Sequence, residues 1–268
     1  MRRQALLCAL TMLVAASVTL LAQAIPSEQI QVGPPLRHTQ APLASATPQE
    51  LEQRGDELRG RKSYLDALDY YRAALRKKPE NPQVSNKACI IEIHIQRFRD
   101  ATKDCERSIR SDHQYADAIN NLGVAYYEER KAGKAIKQYE KAIKLQPDSA
   151  SYYVNLGAAY FSKKDFAKSA LAYNKALELD PDVLERTSRN GVTAQLPSPE
   201  DRARFDYEIA KLYAKMGLSD QSFTHLRRAM EEGYKNISDV YKDAEFAGLR
   251  KDPRFTELMA VRPPAIPE

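Results

Sequence analysis

Four asparagines and one lysine have the types and spacing best suited to chemistry. Asn86 and Asn120 lie 34 residues apart, and so do Asn121 and Asn155. A carboxamide carries both donors and an acceptor, so a column of them grips an extended peptide backbone whatever its sequence. Lys87 sits beside this column and adds a charge preference. Ile90, Val124, Tyr127, Ala158 and Phe161 recur alongside and offer an apolar strip. Such a set performs recognition, not bond making.

Signatures of catalysis are missing from the sequence. His38, His94, His113 and His225 have no metal-ligand spacing with one another or with Cys89 and Cys105. The chain has no glycine-rich phosphate loop, no HExxH and no G-x-S-x-G elbow. No metal site and no cofactor are expected. The net charge of +5 is mild and evenly mixed, which argues against nucleic acid as a partner. Cys89 and Cys105 leave two readings open: a disulfide between facing helices, or two small buried thiols filling core.

The elements that must carry the column follow from a second pattern. Ala116–Ser149 is a 34-residue unit with two stretches, 115–129 and 133–145, each apolar on one face. Gly123, Ala135 and Ala142 are small where backbones must approach, and Tyr126 and Tyr139 fill wider gaps. Pro147 biases Gln146 away from the helical region and stops the second helix. The unit repeats in register: Gly55, Cys89, Gly123, Gly157; Ala67, Ala101, Ala135, Ser169; Tyr71, Cys105, Tyr139, Tyr173. One hairpin cannot bury its apolar face alone, so the units must stack.

On these residues the chain resembles the tetratricopeptide-repeat proteins, of an exported bacterial type. The resemblance implies an all-α fold, a right-handed α-solenoid of helical hairpins with a helical C-terminal cap. It also implies ligand contacts in a concave groove formed by the first helices. There the repeat positions that touch ligands fall on Asn86, Lys87, Ile90, Asn120, Asn121, Val124, Tyr127, Asn155, Ala158 and Phe161. The asparagines are similar to the ladder in the solenoid of O-linked N-acetylglucosamine transferase. The carboxylate clamp of chaperone-binding repeats needs Lys and Asn in the first unit, where this chain has Glu52 and Asp56.

The whole chain then divides as follows. Residues 1–24 read as a secretory signal peptide or an uncleaved anchor, with Arg2 and Arg3 before an apolar stretch and Ala22-Gln23-Ala24 at its end. Residues 25–47 form a disordered proline-rich linker. Four units follow at 48–81, 82–115, 116–149 and 150–183, then an insertion at 184–202. A divergent fifth unit spans 203–236, a helical cap 237–261 and a disordered tail 262–268. The protein is expected to be exported, periplasmic or secreted, with membrane contact only through its N-terminal segment. Its expected activity is non-catalytic binding of an extended protein segment in the groove. Two alternatives stay open: a scaffold acting through its outer face or cap, and a glycan-binding or cell-wall enzyme using Tyr127 and Phe161 for stacking.

Overall fold

The computed structural model describes residues 40–184 and 198–261. The signal segment, residues 25–39 of the linker, most of the insertion and the 262–268 tail lie outside the described residues. The described chain is helical, with no strand among the described residues. The first unit pairs α1 (Pro48–Gly60) with α2 (Tyr64–Lys77), and the second pairs α3 (Pro82–His94) with α4 (Phe98–Ser111). The third pairs α5 (Ala116–Glu128) with α6 (Ala132–Leu145), and the fourth α7 (Ala150–Ser162) with α8 (Phe166–Leu179). The fifth hairpin is α9 (Pro199–Lys215) with α10 (Ser219–Glu231). Each second helix of units one to three then packs on the first helix of the next unit.

Local chemistry sets the helix ends. Thr47 and Glu50 form a reciprocal capping box at the start of α1, and Pro48 takes the first helical position, where its missing N–H costs nothing. Ser198 caps α9 through the Asp201 amide. The helix therefore starts at Pro199, inside the stretch expected to be insertion, and gains an extra turn. The hairpin turns repeat as well. Lys62, Gln96, Arg130 and Lys164, each one 34-residue step apart, adopt φ near +60°, and Gly217 takes the matching place in unit five. A left-handed residue ends the first helix and lets the chain reverse.

Packing within each hairpin rests on one pair of residues. A Cβ added to Gly55 would lie 2.4 Å from Tyr71 Cε1, and one on Gly123 would lie 2.5 Å from Tyr139 Cε1. On Gly157 it would lie 2.9 Å from Tyr173 Cζ. Each tyrosine ring thus sits directly against a bare backbone. Unit two departs: Cys89 and Cys105 hold these two places and are joined by a disulfide, with Cα atoms 5.3 Å apart. Closing a loop of this length contributes about 3 kcal/mol by restricting the unfolded chain. Of the two readings left open by the sequence, the structure has the bond.

The end of the linker is fixed, contrary to expectation. Tyr70 Oη donates to the Gln40 carbonyl at 2.9 Å, and Lys77 Nζ donates to the carbonyls of Ala44 and Ala46. Residues 40–46 are therefore strapped along α2. At the other end, three short 3-10 turns and α11 (Pro253–Val261) close the stack. Val240, Phe246, Leu249, Phe255 and Leu258 pack on Tyr207, Leu226 and Met230 of unit five, forming the expected cap.

Candidate functional site: the amide ladder and its basic edge

The first helices of units two, three and four lie side by side, α3 against α5 and α5 against α7. This face carries the asparagines, but not as a free column. Asn121 Nδ2 donates to Asn86 Oδ1 at 2.9 Å, and Asn155 Nδ2 donates to Asn120 Oδ1 at 3.0 Å. Asn120 Nδ2 donates to Asn121 Oδ1 at 3.3 Å, and Asn86 Nδ2 donates to Tyr115 Oη at 3.3 Å. The four amides form one continuous chain that crosses three units. All four are buried, Asn121 completely. The expectation of open amides is corrected here: a buried carboxamide must find partners, and each of these found another.

The series runs from Asn155 to Tyr115 Oη and leaves one oxygen at its head without a donor. Asn155 Oδ1 is buried and has no hydrogen-bond partner. Every other amide oxygen in the ladder accepts a bond. An unsatisfied buried acceptor costs about 1–3 kcal/mol.

Lys87 is likewise engaged. Its Nζ lies 2.7 Å from Glu52 Oε1 and 2.7 Å from Asp56 Oδ2. Burial works against the ammonium, but the hydrogen bonds it donates to Asp56 and Glu52 outweigh it and hold its pKa above the ordinary value. The free charge preference expected of Lys87 is thus neutralised inside the protein.

The apolar strip is also corrected. Val124, Tyr127, Ala158 and Phe161 are buried, and Ile90 is half-buried. Phe161 packs edge-on against Phe166, with ring centres 5.2 Å apart, and against Phe205 at 6.1 Å. Arg204 lies over the Phe166 ring at 3.5 Å. The N-terminal part of α9 thus covers the end of the strip, a contact hidden from sequence by the insertion before α9. His94, also on this face, stays exposed and stacks on Tyr64 with centres 5.1 Å apart.

The same region holds a cleft that the sequence did not lead one to expect. Tyr127 and Ser162, near the ends of α5 and α7, border this open space of about 730 Å³. Its other walls are Arg130, Lys131, Ala132, Gly133, Lys134, Lys137 and Lys163. Five cations and no acid line it. Lys131 is paired with Glu129 at 2.9 Å, and Lys131 and Lys134 both lie over the Tyr126 ring. The clustering joins the turn of unit three to the end of α7, so linear charge counting could not find it. Among the described residues no group of three or more His, Cys, Asp or Glu side chains could hold a metal ion, and no helix is long and apolar enough to cross a membrane.

Comparison with known proteins agrees with this architecture. The tetratricopeptide-repeat family model matches residues 120–183, which hold most of units three and four. A crystal structure of MamA protein is 22% identical, with 74% of this chain and 95% of the other aligned and a TM-score of 0.50. TTC0263, a thermophilic tetratricopeptide-repeat protein in Thermus thermophilus, is 19% identical over 80% of this chain and all of its own, with a TM-score of 0.49. YrrB, described as a tetratricopeptide-repeat protein with an unusual peptide-binding site, is 14% identical over 75% of this chain and 90% of its own, with a TM-score of 0.46. No curated protein matches the chain significantly. The family model matches residues 120–183, and the 34-residue register with its Gly–Tyr pairs continues the same unit on the N-terminal side: this chain carries tetratricopeptide repeats.

Proposed function

We propose that this protein is a non-catalytic interaction module that holds an extended polypeptide on the face formed by its first helices, outside the cytoplasm. The observation that carries the reading is the unmet acceptor at Asn155 Oδ1, buried in the structure and reached by a partner only when the first-helix face loosens. Four amides are aligned so that each bond orients the next, and Asn155 Oδ1, at the head of the series and buried, needs a donor. A backbone N–H of a bound segment is such a donor and occurs at every non-proline residue. The basic cleft beside Tyr127 and Ser162 favours a partner with carboxylates at that end.

Export is supported by two independent features. The N-terminal 24 residues have the order of a signal peptide. The Cys89–Cys105 bond belongs to chemistry that persists in oxidising compartments. N-terminal sequencing of the extracytoplasmic pool should then begin at Ile25 if the segment is cleaved.

Site-specific crosslinking tests the binding face. A photoreactive residue at Ser162, on the first-helix face, should capture a peptide selected from a displayed library. The same residue at Lys141, exposed on α6, should not. Capture from Lys141 alone would move the binding surface to the second helices.

A further inference from the structure

The second hairpin is held together differently from its neighbours. In units one, three and four a buried tyrosine from the second helix rests on a glycine of the first. In unit two those places are Cys89 and Cys105, and no ring fills the gap. The buried residues of α4 are Ala101, Asp104, Cys105 and Ser108, whereas α2 buries Leu68, Tyr71 and Leu75 among others. Two polar ties add to the apolar α3–α4 contact. Ser108 Oγ donates to the Pro82 carbonyl at 2.7 Å, and the Glu92 and Asp104 carboxyls lie close enough for a proton on one to be shared with the other. Glu92 is fully buried, and its Oε2 has no conventional donor.

We propose that Pro82–Ser111 is a redox-controlled hinge in the repeat stack: the Cys89–Cys105 bond keeps α4 on α3, and its reduction releases α4 while the hairpins on either side stay folded. The reductant is a dithiol. One of its thiolates attacks a cysteine sulfur and breaks the S–S bond, giving a mixed disulfide. Its second thiol resolves that bond. Two electrons and two protons pass to Cys89 and Cys105, which end as thiols, and the reductant ends as a disulfide. Both cysteines are fully buried, so attack waits on a local fluctuation that bares one sulfur, and reduction then traps the parted helices.

The carboxyl pair makes the trap hold. From α2, Arg72 Nη2 pairs with Glu92 Oε1. On α4, Arg107 lies 2.7 Å from Asp104, and Asp100 adds negative charge nearby. The α5 side meets α3 through the uncharged Asn121 amide. In the closed hairpin, Glu92 keeps its proton through burial and the neighbouring Asp104. Once α4 lifts away, water reaches both carboxyls, both ionise near neutral pH, and their repulsion opposes closure.

Hydrogen exchange on the full-length chain tests the hinge, with and without dithiothreitol and with thiol titration to follow the bond. On reduction, amides of α3 and α4 should exchange at least about tenfold faster, while those of α6 and α8 change less than about twofold. The double variant Cys89→Gly/Cys105→Tyr restores the packing pair used elsewhere and should keep α3 and α4 protected in reductant. Three results overturn the proposal: a bond that dithiothreitol cannot reduce under native conditions, reduction without change in α3 and α4, or uniform loss of protection along the stack. If the double variant fails to fold, the comparison within the natural chain still decides.

Discussion

Asn121 donates its amide hydrogen to Asn86 across 35 residues, at 2.9 Å and out of reach of solvent. The bond ties the first helices of neighbouring repeats at the centre of the face assigned to binding. Asn121 also accepts from Asn120. Its replacement by alanine leaves both neighbours short of a partner and should lower folding stability by about 1–3 kcal/mol. Asn155 makes one amide bond and holds one unused oxygen, so Asn155→Ala should cost less, about 1 kcal/mol. Chemical denaturation of the two variants checks the order.

The glycine under each tyrosine ring gives a second expectation. Gly123→Ala places a methyl against Tyr139 and should destabilise the protein by about 1–3 kcal/mol through overpacking. Gly133→Ala meets nothing within 4 Å in the first turn of α6, so it should be neutral or stabilising by up to about 1 kcal/mol. Melting temperatures of the two variants should move in opposite directions, or only the first should move.

Most of this architecture was legible in the sequence. The constant 34-residue step located the hairpins, and the helices expected at 115–129 and 133–145 are Ala116–Glu128 and Ala132–Leu145. The side-chain pairing was not legible, because contacts between units run at 35 residues: Asn86 with Asn121, Asn120 with Asn155, Glu52 with Lys87, Asp117 with Tyr152. In three of these pairs the fifth residue of one 34-residue unit meets the sixth of the next, in the other the second meets the third, and an equal-position comparison hides this. The strapping of residues 40–46 escaped as well, since its acceptors are backbone carbonyls that any residue supplies. The cysteine positions were visible, but whether they bond depends on backbone approach, which spacing does not give.

Unit two carries a dependence on pH. Burial first, and the Asp104 charge second, push the Glu92 carboxyl up to about 8 from an ordinary value of 4.5. The folded state therefore binds this proton more tightly than the unfolded chain. Its contribution is complete below the ordinary value and is lost as pH rises towards 8. Glu92→Gln keeps the shape and cannot ionise. Its melting temperature should fall less than that of the natural chain between about pH 5 and pH 8. Equal slopes would remove Glu92 as the source.

The basic cleft predicts how binding responds to salt. Lys134→Glu combined with Lys163→Glu should slow association of an acidic peptide by about tenfold at low ionic strength and flatten its salt dependence. Both side chains are exposed, so stability should change by less than about 0.5 kcal/mol. Stopped-flow association at two salt concentrations measures both effects.

The unmet, buried oxygen of Asn155 is where the binding proposal is most exposed to refutation. Isothermal titration of one library-selected extended peptide should be run against the natural chain, Asn155→Ala and Asn120→Ala. Both variants lose the same ladder bond, but Asn120→Ala keeps the Asn155 acceptor. Binding should weaken about fivefold or more, roughly 1 kcal/mol, in Asn155→Ala and clearly less in Asn120→Ala. Equal affinity in all three proteins, or equal losses in the two variants, would contradict the proposal and reduce the ladder to a structural seam.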